Sequence, residues 1–197
     1  MEKIYRVNPR IKKGNVNVFT DHDFYWGIIP REEMESFNHY AREKGFSDAL
    51  NNFSFKGRFD YAKNYRRADF HFLLPIKQGS VILDLGSGFG NVTIPLAKYH
   101  KKVFAADASL PLLEFSSLRA ENEGVKNVEY LHIDPLELCN LPFQKKSFDA
   151  IIMNGVLEWV GAGVGDQSPN ELQRKLLVYL SSLLKDDGVL YIGIENR

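Results

Sequence analysis

The pattern of apolar positions along the chain changes character near residue 80. Beyond it, short continuous apolar runs alternate with stretches of helical period. The runs predict strands at 81–85, 102–106, 127–133, 148–154 and 188–194, and the stretches between predict helices at 91–99, 110–122 and 169–184. A strand that is apolar on both faces belongs inside a parallel sheet. Strands alternating with helices predict a doubly wound α/β layer with helices on both faces. The last helix is the best marked: Ser168-Pro169-Asn170-Glu171 reads as a capping box with proline at the first helical position. Its leucines (Leu172, Leu176, Leu177, Leu180, Leu183, Leu184) form one apolar stripe for the core.

Before residue 80 the pattern reads as helices. Pro30-Arg-Glu-Glu suits a helix start, Gly45 suits its stop, and a second stretch runs from about Tyr61 to Leu74, ending before Pro75. The predicted organisation is therefore an N-terminal helical cap or lid segment, 1–79, followed by an α/β core, 80–197.

The candidate chemistry sits at the end of the first core strand. Val81-Ile-Leu-Asp-Leu is followed by Gly86, Gly88 and Gly90 at alternate positions. Glycines there allow positive φ and leave no Cβ between backbone and ligand. A dinucleotide fingerprint needs glycine where this chain has Asn91, and a P-loop needs a Lys-Ser/Thr pair that is absent here. Asp84, two residues before the first glycine, suits a ligand with a cationic amino group and no phosphates. Asp107 ends the next strand, about 20 residues past the glycines, where doubly wound folds place an acid for ribose hydroxyls. The competing role for Asp107 is to cap the following helix, although Ser109 is able to cap it alone.

Composition narrows the function classes. Lys+Arg and Asp+Glu both number 25, so the formal charge is zero and no net field draws in nucleic acid. Lys63, Arg66 and Arg67 at helical spacing read as a solvated helix face. One cysteine, Cys139, makes no internal disulfide. His22, His39, His71, His100 and His132 lack the spacing of a zinc site, so no metal is expected. With neither a signal peptide nor a membrane-spanning run, the expectation is a cytoplasmic protein without membrane insertion.

The segment Asp84-x-Gly86-x-Gly88-x-Gly90 resembles the first motif of class I S-adenosylmethionine-dependent methyltransferases. Asp107, then Asp134-Pro135, then Leu141-Pro-Phe with Ser147-Phe-Asp149 follow in the same order as in that family. The resemblance implies a Rossmann-like sheet in order 3-2-1-4-5, with N-terminal helices over the cofactor end. It implies S-adenosylmethionine as cofactor, S-adenosylhomocysteine as product, and a methyl transfer reaction. Asp84, Gly86, Gly88, Gly90, Asp107, Asp134, Pro135 and Asn154 are then the cofactor-binding residues, with Asp134 accepting from the adenine amino group. An ordinary Asp-Pro turn is the alternative for Asp134.

Asn154-Gly-Val-Leu-Glu-Trp-Val160 and Gly193-Ile-Glu-Asn-Arg197 look like methyltransferases found with polysaccharide-assembly enzymes. The implied acceptor is a small molecule or a sugar hydroxyl, with Asn154 and Glu158 as catalytic candidates; Glu158 also reads as a solvent-facing acid of a helix start. His22 and Asp23 are reserve bases, and Tyr25 and Trp26 either form a lid or pin the N-terminus. In this reading the chain stops after the fifth strand, without the family's closing hairpin, so a truncated domain that self-associates through the fifth-strand edge is expected. Two other functions stay open: a non-catalytic or truncated S-adenosylmethionine-binding module, and a nicotinamide-dependent oxidoreductase, which Asn91 and Asp84 oppose.

Overall fold

The structure, a computed structural model, describes residues 4–55, 64–161 and 168–194. Its frame is a sheet of seven strands: β1 (Ile11–Lys13), β2 (Val16–Val18), β3 (Val81–Leu85), β4 (Lys102–Asp107), β5 (Val128–His132), β6 (Phe148–Asn154) and β7 (Leu184–Gly193). The spatial order is β1-β2-β5-β4-β3-β6-β7. The five core strands are all parallel to their neighbours and stand in the expected order 3-2-1-4-5. β3 is central, with Leu83 opposite Phe104 of β4 and Ile151 of β6.

Side-chain alternation along β3 divides the core. Leu83 and Leu85 join Phe104, Met153 and the leucines Leu176, Leu180 and Leu183 of the last helix on one face. Ile82 joins Val103, Ile152, Leu96 and Ala97 on the other. Both faces are dry, which explains why the core strands read as unbroken apolar runs. The helices are α1 (Arg31–Lys44), α2 (Phe46–Asn52), α3 (Thr93–Tyr99), α4 (Leu110–Asn122) and α5 (Pro169–Leu183).

The N-terminal part departs from the helical expectation. β1 and β2 form a hairpin, and β2 pairs in parallel with β5, extending the sheet beyond its third core strand. Gly14, at φ +54°, is the first of two turn residues between Lys13 and Val16, the place where a tight hairpin turn demands a glycine. Each strand has only three residues, too few to show a period. α1 runs from Pro30 to Gly45 as expected, and α2 follows directly. The second expected helix is a 3-10 segment, Tyr65–Leu73; positions 61–63 of that expectation lie outside the described residues.

α1 and α2 bury Met34, Phe37 and Phe46 against Phe115 and Leu112 of α4 and Phe89 of the glycine turn. Asn38 inside this contact donates to the Pro111 carbonyl at 2.8 Å. The N-terminal helices are thereby tied to the helix that starts at the carboxyl end of β4.

Two caps differ from the sequence reading. No side-chain cap bond forms at Ser168, because the Glu171 N–H donates to the Ser168 carbonyl instead. Ser109 makes no side-chain cap of α4 either, and other groups satisfy that helix start. β7 lies at the sheet end, and among the described residues no strand pairs with its outer edge. Its first half, with Lys185, Asp186 and Asp187, is exposed. Among the described residues no helix is long and apolar enough to cross a membrane.

Candidate cofactor and acceptor site

The carboxyl ends of β3, β4 and β6 open into a cavity of about 420 Å³, the place where open α/β sheets hold their ligands. Its floor is the glycine turn. Gly86 (φ +80°) and Ser87 donate to the Ala106 carbonyl at 2.8 and 3.2 Å, which folds the turn back over β4. A Cβ at Gly86 would collide with Val156, whereas a Cβ at Gly88 would meet nothing within 4 Å. Gly88 thus leaves room on the cavity side, a cradle that any side chain would fill. Gly90 is not on the cavity wall; a Cβ there would collide with Ser116 of α4, so its role is close packing.

Two acids face this floor. Asp84 is buried and accepts from the Thr93 hydroxyl at 2.5 Å. Burial, opposed by the Thr93 hydrogen bonds and helped by the neighbouring Asp107 charge, pushes its carboxyl up to about 7. A buried carboxyl of this kind is an acceptor that a ligand ammonium would satisfy. Asp107 accepts from the Gly88 N–H at 2.8 Å and the Ser109 N–H at 2.9 Å. Burial raises its carboxyl, with those two N–H groups opposing. One oxygen clamps the glycine turn and the other caps α4, yet each keeps a lone pair for a hydroxyl. Capping and ribose binding, opposed in the sequence reading, are compatible in this geometry.

Pro135 and Asn154 also line the cavity, but the Asp134 side chain does not. Asp134 accepts from the Leu136 N–H at 2.9 Å and lies 2.7 Å from His22 Nδ1. Although partial burial opposes it, the Leu136 N–H and His22 hold this carboxyl below its ordinary value. Asn154 ends β6, and its side chain lies over Gly193 of β7, where a Cβ would collide with Oδ1. Glu158 sits on the 3-10 turn Leu157–Trp159, off the cavity wall. The reserve bases are committed elsewhere. His22 meets Asp134, while Asp23 accepts from the Leu110 N–H at 3.0 Å and from Arg31 at 2.5 Å.

Ile28, Val156 and Trp159 line the mouth together with Trp26, and Arg67 lines the cavity instead of a solvated face. Of these, the sequence reading left out Ile28 and misplaced Arg67. Arg67 is on a 3-10 segment with three residues per turn, so spacing judged on an α-helix misplaces it. Val156 and Trp159 belong to the segment just after the fourth strand, which the rule for open α/β sheets puts near the reacting groups from sequence alone.

Residues 83–192 match the model of the methyltransferase domain family. The chain belongs to this family. As a methyltransferase domain it uses S-adenosylmethionine as cofactor. Among curated proteins it is 27% identical over 122 residues to the 23S rRNA (uracil(1939)-C(5))-methyltransferase RlmD of Haemophilus influenzae, a match that covers 59% of this chain and 27% of that protein. It is 29% identical over 79 residues to the tRNA/tmRNA (uracil-C(5))-methyltransferase of Campylobacter lari, covering 40% of this chain and 23% of that one. These matches span about a quarter of the relatives' length.

Among solved structures the methyltransferase domain resembles a putative S-adenosyl-L-methionine-dependent methyltransferase from Methanococcus maripaludis. The TM-score is 0.55 at 16% identity, over 87% of this chain and 66% of that one. It also resembles phosphoethanolamine N-methyltransferase 1 of Haemonchus contortus, crystallised with phosphoethanolamine and S-adenosylhomocysteine. There the TM-score is 0.54 at 20% identity, over 81% of this chain and 31% of that one. Both likenesses concern the fold.

Proposed function

We propose that this methyltransferase domain transfers a methyl group to a heteroatom of a small acceptor held at the cavity mouth. The observation that carries this reading is the convergence of Asp84, Gly88, Asp107 and Asn154 on one cavity at the strand ends. S-adenosylmethionine, when bound, supplies the methyl group and a neutral thioether leaving group. The protein's work is binding, alignment and exclusion of water. In this reading Asp84 takes the cofactor's ammonium, Asp107 its ribose hydroxyls, and Gly86 and Gly88 let the backbone approach. Pro135 flanks the adenine, with Asp134 held beside it. Asn154, on the wall, is better supported for orienting the reacting groups than Glu158, which is off it. Residues 80–197 form the cofactor-binding core, and 1–79 shape the acceptor side.

The relatives' names specify a uracil carbon in RNA. That carbon becomes a good nucleophile only after addition to the ring, a task suited to a thiolate. The chain's one cysteine, Cys139, is exposed and off the cavity wall. A zero formal charge gives no field for a long polyanion. Both points favour a heteroatom on a small acceptor. Calorimetry with S-adenosylhomocysteine and with NAD is the test. Binding of the first and not the second is expected, and preference for NAD would overturn the reading.

A further inference from the structure

The cavity mouth carries an arrangement outside the set of residues proposed for the cofactor. Trp26 is 72% exposed and Trp159 is 46% exposed, yet their rings pack together with centroids 5.7 Å apart at an interplanar angle of 43°. Large exposed aromatic surface is unfavourable in water and marks a contact site when the backbone holds it in place.

Both backbones are held. The Tyr25 hydroxyl donates to the Ile29 carbonyl at 2.6 Å, and its ring folds over Gly27, where any Cβ would collide with it. Ile29 is fully buried, so the turn that projects Trp26 outward is pinned at its end. On the other side, Gln173 of α5 donates to the Leu157 carbonyl at 3.0 Å, and the Trp159 N–H donates to the Val156 carbonyl at 3.0 Å. Tyr25 and Trp26 therefore divide the two roles expected of them: Tyr25 pins, and Trp26 is presented.

We infer that the Trp26–Trp159 pair is a stacking platform for the methyl acceptor, and that the acceptor is an aromatic or heteroaromatic ring carrying the nucleophilic heteroatom. The inference rests on the methyltransferase reading and deepens it. The packed pair leaves indole surface exposed on both rings, on which a flat ring can lie with face and edge contacts. The acids Asp84 and Asp107 lie on the floor, while Trp26, Ile28, Val156 and Trp159 make the mouth apolar. A weakly charged ring suits a mouth of this composition.

The molecule supplies its own reporter, because it has two tryptophans and both stand at this mouth. The experiment titrates the protein, saturated with S-adenosylhomocysteine, with uridine, catechol or methyl glucopyranoside while following tryptophan emission. Saturable quenching by uridine or catechol, and none by the glucopyranoside, is expected; which ring quenches at lower concentration distinguishes a nucleobase from a phenol. Trp159→Ala should raise the half-saturating ring concentration about tenfold, the effect of losing one stacked ring, and Trp159→Phe should restore most of it. The affinity for S-adenosylhomocysteine should change less than twofold in both variants. Saturation by the glucopyranoside alone, or no quenching by either ring, overturns the inference. So does a loss of S-adenosylhomocysteine affinity in Trp159→Ala equal to the loss for the ring, since the pair would then be covering the cofactor. Failure of the unsubstituted protein to bind S-adenosylhomocysteine would refute the methyltransferase reading itself, a separate result.

Discussion

The floor and the mouth of one cavity are built by different means. The floor is strand ends and backbone: a glycine turn clamped to β4 through Ala106 and Asp107, with the buried Asp84 and the half-buried Asp107 facing it. The mouth is side chain: Trp26 from the segment before α1 meets Trp159 from a 3-10 turn after β6. Polar groups buried in the floor are costly to leave unsatisfied, so their positions are tightly specified. Apolar groups at the mouth are held by packing, which tolerates replacement of equal size. On the proposed reading, the comparison teaches that cofactor chemistry rests on the sheet, whereas acceptor choice rests on surface segments held by packing.

The sharpest test of the floor is Asp84→Asn. In the free protein burial holds the Asp84 carboxyl near 7, far above the ordinary aspartate value of about 3.9. Between those pH values the native state keeps a proton that the unfolded chain has released. This contribution to stability is fully present below about pH 4 and is lost as pH rises through about 7. The full loss is on the order of 4 kcal/mol at most. Asparagine stays neutral and still accepts from Thr93. Without ligand, Asp84→Asn should therefore match the wild type near pH 4 and exceed it in stability at pH 8. Denaturant unfolding across that range checks it, and equal stability at pH 8 would show that the acid ionises at no cost. S-adenosylhomocysteine should reverse the ranking, because its ammonium favours the carboxylate.

Asp107→Ala comes next in size. It removes the acceptor proposed for ribose and also frees the Gly88 N–H. A loss of about 1.5–3 kcal/mol in S-adenosylhomocysteine binding is expected, read by calorimetry. Unchanged affinity would leave Asp107 as a clamp and cap alone.

How much was legible follows the same division. Asp84, the glycines and Asp107 lie within one short stretch, and their chemistry demands particular residue types at particular spacings. The sheet order followed from right-handed crossovers between strands apolar on both faces. The hairpin at Gly14-Asn15 carried a turn signal, but three-residue strands show no alternation to support it. Arg67 was misplaced because α-helical spacing was assumed for a 3-10 segment. The Trp26–Trp159 contact joins distant positions that only the finished fold brings together, and no local pattern encodes it. Ser109 was the reasonable cap for α4 from local sequence, yet the donors there go to Asp107 and to Asp23.

Asp23 joins the two regions, and its removal is the smallest effect expected. It stands just before the presented Trp26, accepts from the first turn of α4 at Leu110, and is paired with Arg31 at 2.5 Å. Burial opposes its ionisation, but His132, the Leu110 N–H and Arg31 hold its carboxyl below the ordinary value. A depressed carboxyl contributes stability that is present above the unfolded value, near pH 4, and lost as pH falls through the lower folded one. Asp23→Ala should then cost about 1 kcal/mol at neutral pH, the usual value of a helix N-cap. That corresponds to a fall of about 2–4 °C in Tm for a chain of this size. The deficit should shrink in acid, and Asp23→Asn, which caps equally well, should recover most of it at pH 7. Affinity for S-adenosylhomocysteine is the deciding readout. If it stays within twofold, the joint is mechanical and the mouth changes independently of the floor. If it falls as far as in Asp107→Ala, the mouth and the floor are one cooperative unit, and the division between them fails.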